Sequence, residues 1–227
     1  MILAHRLFPS PLLVAGQMWD AASAGPLLAD LGRTLARAAI AFIIAMTLGT
    51  AIGIALGRLR WIDRLFSGWL LVGLNLPAIV VAIVLYIWLG LTEFSLILAV
   101  VINKVPLVIA TIREGVRSFS ADFDELGKAF RMSPLRRLRL IFVPQLMPYI
   151  LAAARTGLSL IWKIVLVFEV LGSDGGVGYR IAIMFQFFDI AGILAYTASF
   201  IIVVLAFEYG ALRPLERRML QWRPAQP

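Results

Sequence analysis

The segment ELGKAFRMSPLRRLRLIFVPQLMP, Glu125–Pro148, crowds Lys128, Arg131, Arg136, Arg137 and Arg139 into an otherwise apolar chain and ends on Pro144 and Pro148. Phe123, Leu126 and Phe130 recur at helical spacing and predict one apolar stripe on a short helix over residues 121–131. Ser120 or Asp122 caps its start, because a short side-chain oxygen there accepts from the free N–H groups of the first turn. Ser133-Pro134 reads as a second cap, followed by proline at the first helical position. Leu135, Leu138 and Phe142 then make a second stripe with Arg136, Arg137 and Arg139 beside it. The pattern is helix, turn, helix. On these residues alone it either rests on anionic lipid or docks a partner protein.

The surroundings place this segment at a membrane. Ala38–Gly57 is twenty residues without a charge, and Leu65–Thr92 is twenty-eight. A helix needs roughly 20 apolar residues to cross a bilayer. The 227-residue chain is 61% apolar with a mean hydropathy of +0.92, above the roughly one-half apolar content of soluble domains. The expected fold is therefore an all-α polytopic membrane protein. Its spans are expected at about 35–57, 65–91, 94–112, 148–171 and 190–211. Asn75 and Pro77 predict a kink or break in the second span. Arg155, Lys163 and Glu169 interrupt the fourth.

Orientation follows from the basic residues between spans. Fourteen fall on one side: Arg58, Arg60, Arg64, Arg113, Arg117, Lys128, Arg131, Arg136, Arg137, Arg139, Arg213, Arg217, Arg218 and Arg223. Only Arg6, Arg33 and Arg180 fall on the other. The 113–147 loop and the 212–227 tail are therefore expected in the cytoplasm, and the 1–34 segment outside. Pro9, Pro11 and Pro26 argue against a full span within 1–34. Either that segment crosses unaided, or an earlier span precedes the chain as given.

The same reading excludes several function classes. The net charge of +8 sits at span ends, which points to a membrane face and not to nucleic acid. There is no cysteine, and the single histidine is His5, so thiolate and His-rich metal sites are excluded. No Gly-Lys-Ser/Thr phosphate loop is present, so ATP hydrolysis is not expected in this chain. The scattered acids offer no paired carboxylates, and no catalytic residue is expected. Lys104 and Lys163 lie about ten and eight residues inside their spans, roughly 15 and 12 Å deep, beyond what lysine can snorkel. Each either faces a path and attracts an anion, or pairs with a carboxylate such as Glu169 or solvates in a crevice. The break at Asn75 and Pro77 either lines a path, as broken transporter helices do, or is a packing kink. Phe185, Phe187 and Phe188 suggest an interfacial helix.

Ile141, Val143 and Pro144 follow Glu125 at offsets of 16, 18 and 19. This spacing resembles the cytoplasmic EAA loop of ABC-importer permeases. Leu126 and Gly127 stand where that family has two alanines, and Arg131 where it has the glycine of the turn. Glycine accepts positive φ cheaply, so arginine implies a turn built differently or shifted by a residue. Further matches run along the chain: Phe8-Pro-Ser-Pro11, Tyr86-Ile-Trp-Leu-Gly90, Trp162, Glu169, Gly176-Val-Gly-Tyr179, Leu215-Glu-Arg-Arg218 and Trp222-Arg-Pro224. They are similar to permeases of the nitrate, sulfonate and taurine group.

The resemblance implies six spans in the family, one ahead of the Pro-Ser-Pro opening, and a multi-pass protein of the bacterial cytoplasmic (inner) membrane. It implies coupling to a separate ATP-binding cassette ATPase pair, which holds the ATP, through Glu125, Leu126, Gly127, Ala129, Phe130, Arg131 and Pro144. It implies a second permease copy, in a homodimer, and a substrate-binding protein delivering a small anion such as nitrate, a sulfonate or taurine. Asn75, Pro77, Lys104, Trp162, Lys163 and Glu169 are the candidate substrate-path residues, Trp162 and Glu169 from the resemblance and the other four from their position inside a span. Glu169 is expected to hydrogen-bond the Gly175-Gly176 turn. The alternative is a stand-alone channel or ion-coupled carrier whose basic loop binds lipid.

Overall fold

The structure, a computed structural model, describes residues 8–214 and Met219. The closing Leu215–Arg218 and Trp222–Pro224 matches, the basic residues Arg217, Arg218 and Arg223, and His5 and Arg6 lie outside the described residues. The described residues form helices without a strand: α1 (Pro11–Ser23), α2 (Leu27–Arg58), α3 (Arg60–Asn75), α4 (Ala78–Leu89), α5 (Glu93–Arg117), α6 (Ala121–Ala129), α7 (Pro134–Gly172), α8 (Val177–Gln186) and α9 (Ile190–Leu212). Four of them, α2, α5, α7 and α9, are long and apolar enough to cross a membrane, and α3 with α4 makes a fifth crossing if the two form one span.

Local chemistry explains most helix ends. Ser10 Oγ accepts from the Leu13 N–H at 3.3 Å and Pro11 opens α1, so the Pro-Ser-Pro opening starts a helix of 13 residues, too short to cross. The span expected over 65–91 is two helices. Asn75 Nδ2 donates back to the Leu71 carbonyl at 2.8 Å in the last turn of α3. Pro77 takes the capping position of α4, and its carbonyl accepts from Val80 and Val81.

Other boundaries differ from the sequence reading. α2 begins at Leu27, not near 35, because Asp30, Thr34 and Arg37 are buried with partners and do not end the helix. α5 runs to Arg117, so Arg113 and Arg117 belong to its last turns and not to a loop; both bind Asp63 of α3. The helix predicted after Ser133-Pro134 is not separate but is the start of the fourth span. α7 is 39 residues long, about 58 Å, well beyond the roughly 30 Å hydrocarbon core. A wide π turn over Leu138–Phe142 precedes Pro144 within it, where proline lacks the N–H that a regular helix would use.

The chain divides into two compact units. The first comprises Met1–Ala41, Pro77–Val100 and Leu160–Pro214; the second comprises Phe42–Leu76, Val101–Ser159 and Leu215–Pro227. The second unit is organised by a glycine seam. Gly49, Gly53 and Gly57 of α2 face Val108, Ile112 and Val116 of α5. A Cβ on each glycine would fall 2.5, 2.8 and 2.6 Å from the opposing Cβ. Absence of those Cβ atoms lets the two backbones approach, the main source of helix association in lipid. Val108, Ile112 and Val116 continue into a core with Leu146 and Ala153 of α7.

Candidate functional site

Two groups of residues stand out, one in each unit. In the second unit, α6 is held at both ends. Ser120 provides its cap: Oγ accepts from the Asp122 N–H at 3.2 Å, while the Ser120 N–H donates to Gln145 Oε1 of α7 at 3.3 Å. At the other end the Met132 N–H bonds the Gly127 carbonyl and the Arg131 N–H bonds the Lys128 carbonyl, both at 3.0 Å. This pair of bonds is a Schellman closure. The residue that must turn left-handed is Arg131, with φ of 46°. The turn expected to be rebuilt or shifted is therefore in the family's position, with arginine carrying a backbone conformation that suits glycine. Ser133 Oγ then accepts from the Arg136 N–H at 3.4 Å and starts α7.

The spacing of the motif now has a physical meaning. Gly127 is buried, and a Cβ there would lie 3.0 Å from Ile141 Cδ1 and 3.1 Å from Arg137 Nε. The Ile-x-Val-Pro end of the motif thus lies beneath the helix that begins it. Ile141 is buried, and Pro144 lines a groove of about 490 Å³ with Phe123, Ser120 and Tyr149. The predicted apolar stripe faces outward: Phe123 is 49% exposed, Leu126 47% and Phe130 70%. Glu125 and Ala129 are exposed as well. The outcome is a short helix with a fixed seat and an uncovered apolar face.

Relieving the strain at Arg131 should be measurable. A left-handed non-glycine residue costs about 1 kcal/mol, partly offset by the greater freedom of glycine in the unfolded chain. Arg131→Gly is expected to slow amide exchange at Arg131 and Met132 by a factor of about 2–5, and Arg131→Ala to leave it unchanged. Equal exchange in the glycine variant would mean that the turn is not strained.

The first unit holds a buried polar cluster. Asp30, Thr34 and Arg37 share one face of α2, at spacings of four and three residues. Glu169 of α7 accepts from Arg37 Nη1 at 2.7 Å and from the Gly178 N–H at 2.9 Å, and Thr34 Oγ1 lies 2.9 Å from both its oxygens. Arg37 also donates to the Gly175 carbonyl at 2.5 Å, to Asp174 at 3.3 Å, and through its fork to Glu93. Thr34 Oγ1 accepts from the Val177 N–H at 2.9 Å. Asp30 accepts from the Gly176 N–H, from Arg180 Nε and from the Tyr196 hydroxyl.

This cluster accounts for the Gly-Val-Gly motif. Gly176 has φ of 101°, and a Cβ on it would run into the Glu169 carboxylate. At Gly178 a Cβ would meet the Leu166 carbonyl and lie 2.7 Å from Glu169 Cβ. Glu169 does bind this turn as expected, but at Gly178; Gly175 belongs to Arg37. The cluster's polar groups are mutually satisfied, which suits clamping the 173–178 turn and leaves no free nucleophile or base. Trp162 packs edge-on against Phe200 and Phe207, and Lys163 is exposed. Lys104 belongs to the second unit, where it is 2% exposed and its Nζ has no hydrogen-bond partner among the described residues.

Sequence reasoning missed Asp30, Thr34 and Arg37. The usable signal was three polar residues on one helical face, with Arg37 the third residue of the expected span. Ionisable residues in such a position are costly and are kept for a reason.

Membrane-length helices with a seated amphipathic helix at the head of one define a polytopic membrane protein. Residues 45–220 match the model of the binding-protein-dependent transport system inner membrane components, and the chain belongs to that family, the permease subunits of ABC importers. It is similar to the putative aliphatic sulfonates transport permease protein SsuC of Bacillus subtilis, with 26% identity over 98% of this chain and 80% of that one. It is 29% identical to the riboflavin transport system permease protein RibX of Chloroflexus aurantiacus, over 95% of this chain and 80% of that one. The taurine transport system permease protein TauC of Escherichia coli is 25% identical over 85% of this chain and 70% of its own length. Among solved structures, an amino acid ABC transporter crystallised with histidines superposes with a TM-score of 0.72 at 19% identity, covering 88% of this chain and 98% of that one. The inward-facing methionine transporter MetNI gives 0.70 at 16% identity, over 85% and 95%. Those two likenesses concern the fold.

Proposed function

We propose that this permease subunit pairs with a second permease copy and couples through α6 to a separate ATP-binding cassette ATPase, importing a small organic anion handed over by a substrate-binding protein. The observation that carries the reading is the outward apolar face of Phe123, Leu126 and Phe130 on a helix fixed at both ends. An apolar stripe of this kind is what a groove on a partner accepts. Because Gly127 seats α6 on Ile141 and α7 continues unbroken into the membrane, a push on α6 is delivered to α7. ATP is bound and hydrolysed in the partner, and α6 with the C-terminal tail faces the cytoplasm. Glu125, Leu126, Gly127, Ala129, Phe130, Arg131 and Pro144 form the coupling element in this reading. In this reading Asn75 and Lys104 are the path residues of the second unit, and Pro77 and Lys163 those of the first, where Trp162 and Glu169 serve as structural supports. The sulfonate and taurine relatives support an anion; the riboflavin relative supports only the transport class.

The test is a pull-down of the full chain, tagged at the C-terminus, from gently solubilised native membranes, with partners identified by mass spectrometry. A near-equimolar ATPase is expected. Burying one Leu or Phe contributes about 1.5–3 kcal/mol, so Leu126→Asp is expected to lower ATPase recovery about 10-fold or more while the chain keeps its melting midpoint. If wild-type chain yields no ATPase under conditions that preserve other importers, the coupling reading fails and the basic segment is a lipid-facing element.

A further inference from the structure

We infer that the Lys104 ammonium is the seat for the acid group of the transported ligand, a sulfonate or carboxylate; this deepens the transport reading above and rests on it. Lys104 lies eleven residues after the start of α5 and thirteen before its end, roughly 16 and 20 Å along the axis. It is therefore near the middle of a membrane-length helix, too far from either end to snorkel out. It is 2% exposed, and its Nζ has no hydrogen-bond partner among the described residues. Every other buried charged side chain described, Asp30, Arg37 and Glu169, has its partners in place. Among the described residues of the second unit no carboxylate bonds Lys104. Asp63 and Glu114 are engaged by Arg113 and Arg117 at the far end of α5, about 15 Å away along the helix.

Room has been left for the ammonium. Gly157 of α7 faces it, and a Cβ there would lie 3.1 Å from Lys104 Cε and 3.8 Å from Nζ. A lone buried charge is costly, and a methionine would fill the same space without that cost. An ammonium presents three donors and no acceptor. An anionic oxygen meets it with short, charge-assisted hydrogen bonds, whereas a neutral carbonyl leaves its charge uncompensated and a cation is repelled. The low exposure describes an occluded seat, reached as α2, α5 and α7 part during a transport cycle.

The experiment is thermal melting of the full-length chain, with whatever ATPase co-purifies, in phosphatidylcholine nanodiscs. Sodium ethanesulfonate and sodium acetate are titrated against sodium chloride at equal ionic strength, with dimethyl sulfone as the neutral control. A saturable rise in midpoint is expected with ethanesulfonate or acetate, and none with chloride or the sulfone. Lys104→Met is expected to weaken that response roughly 10- to 100-fold, and to melt above wild type when no anion is added. Lys104→Arg keeps the charge and is expected to retain the response within about 10-fold; if the Met variant fails to fold, a lost response in the Arg variant overturns the assignment. So would equal shifts from chloride, an unchanged response in Lys104→Met, or no saturable shift from either acid. A shift produced only by phosphatidylglycerol in the disc would assign the ammonium to lipid and equally overturn it. ATPase recovery reads the transport class separately, so loss of the sulfonate response with ATPase retained sinks only the Lys104 assignment.

Discussion

Arg37→Met is expected to destabilise the solubilised protein by about 3–5 kcal/mol, the usual consequence of removing one partner of a buried ion pair. For a chain of this size that corresponds to a fall in melting midpoint of about 10 °C. The cause is not the loss of one contact. Arg37 is the donor that joins Glu93, Glu169 and the Gly175 carbonyl. Without it, Glu169 keeps only Thr34 and the Gly178 N–H as donors, and the buried Gly175 carbonyl keeps only the Ser173 hydroxyl. Arg37→Lys is expected to rescue less than half of the loss, because a single ammonium cannot imitate a planar fork bonded on several sides. Amide exchange at Gly176, Val177 and Gly178 separates this account from a general loss of packing. Those three amides are expected to exchange about 100-fold faster in Arg37→Met, while amides of α6 follow the global midpoint. A variant melting within about 2 °C of wild type would mean that the cluster does not hold the turn.

Gly53→Val is expected to cost about 3 kcal/mol, at the upper end of overpacking effects. Its new Cβ would lie 2.8 Å from Ile112 Cβ and 3.0 Å from the Ile109 carbonyl. Neither is the mobile end of a side chain, so α2 and α5 must separate along this part of the seam. Two consequences distinguish this from an ordinary cavity or clash. Ile112→Ala is not expected to rescue the variant, because the nearest atom survives that change. Gly49→Ala and Gly53→Ala are expected to be sub-additive, since one separation of the helices relieves both. Unfolding in graded detergent denaturant measures all three. Additive losses, or rescue by Ile112→Ala, would refute a shared backbone approach.

What the residues determined alone was what depends on near neighbours in the chain. Long apolar runs make membrane helices because unpaired backbone groups cannot be left in lipid. Asn75 and Pro77 broke a helix at the place where they stand, and Ser120 and Ser133 capped the helices that follow them. The stripe of Phe123, Leu126 and Phe130 was legible from its period, and the loop motif from its spacing.

Tertiary structure alone decided which charges meet. The boundary near residue 35 was misplaced because hydropathy counts Asp30 and Arg37 as costs, whereas their partners in Glu169, Gly176 and Arg180 come from more than 130 residues further along the chain. The glycines of α2 became a seam only when Val108, Ile112 and Val116 were brought against them. Arg131 turned left-handed where α6 closes on its own Gly127 and Lys128 carbonyls, three residues before α7 begins. Lys104 drew interest from its depth in the span, yet its lack of a partner is a property of the space around it. Periodicity and capping act within a few residues along the chain; charge pairing and backbone approach are settled by whatever the fold brings near.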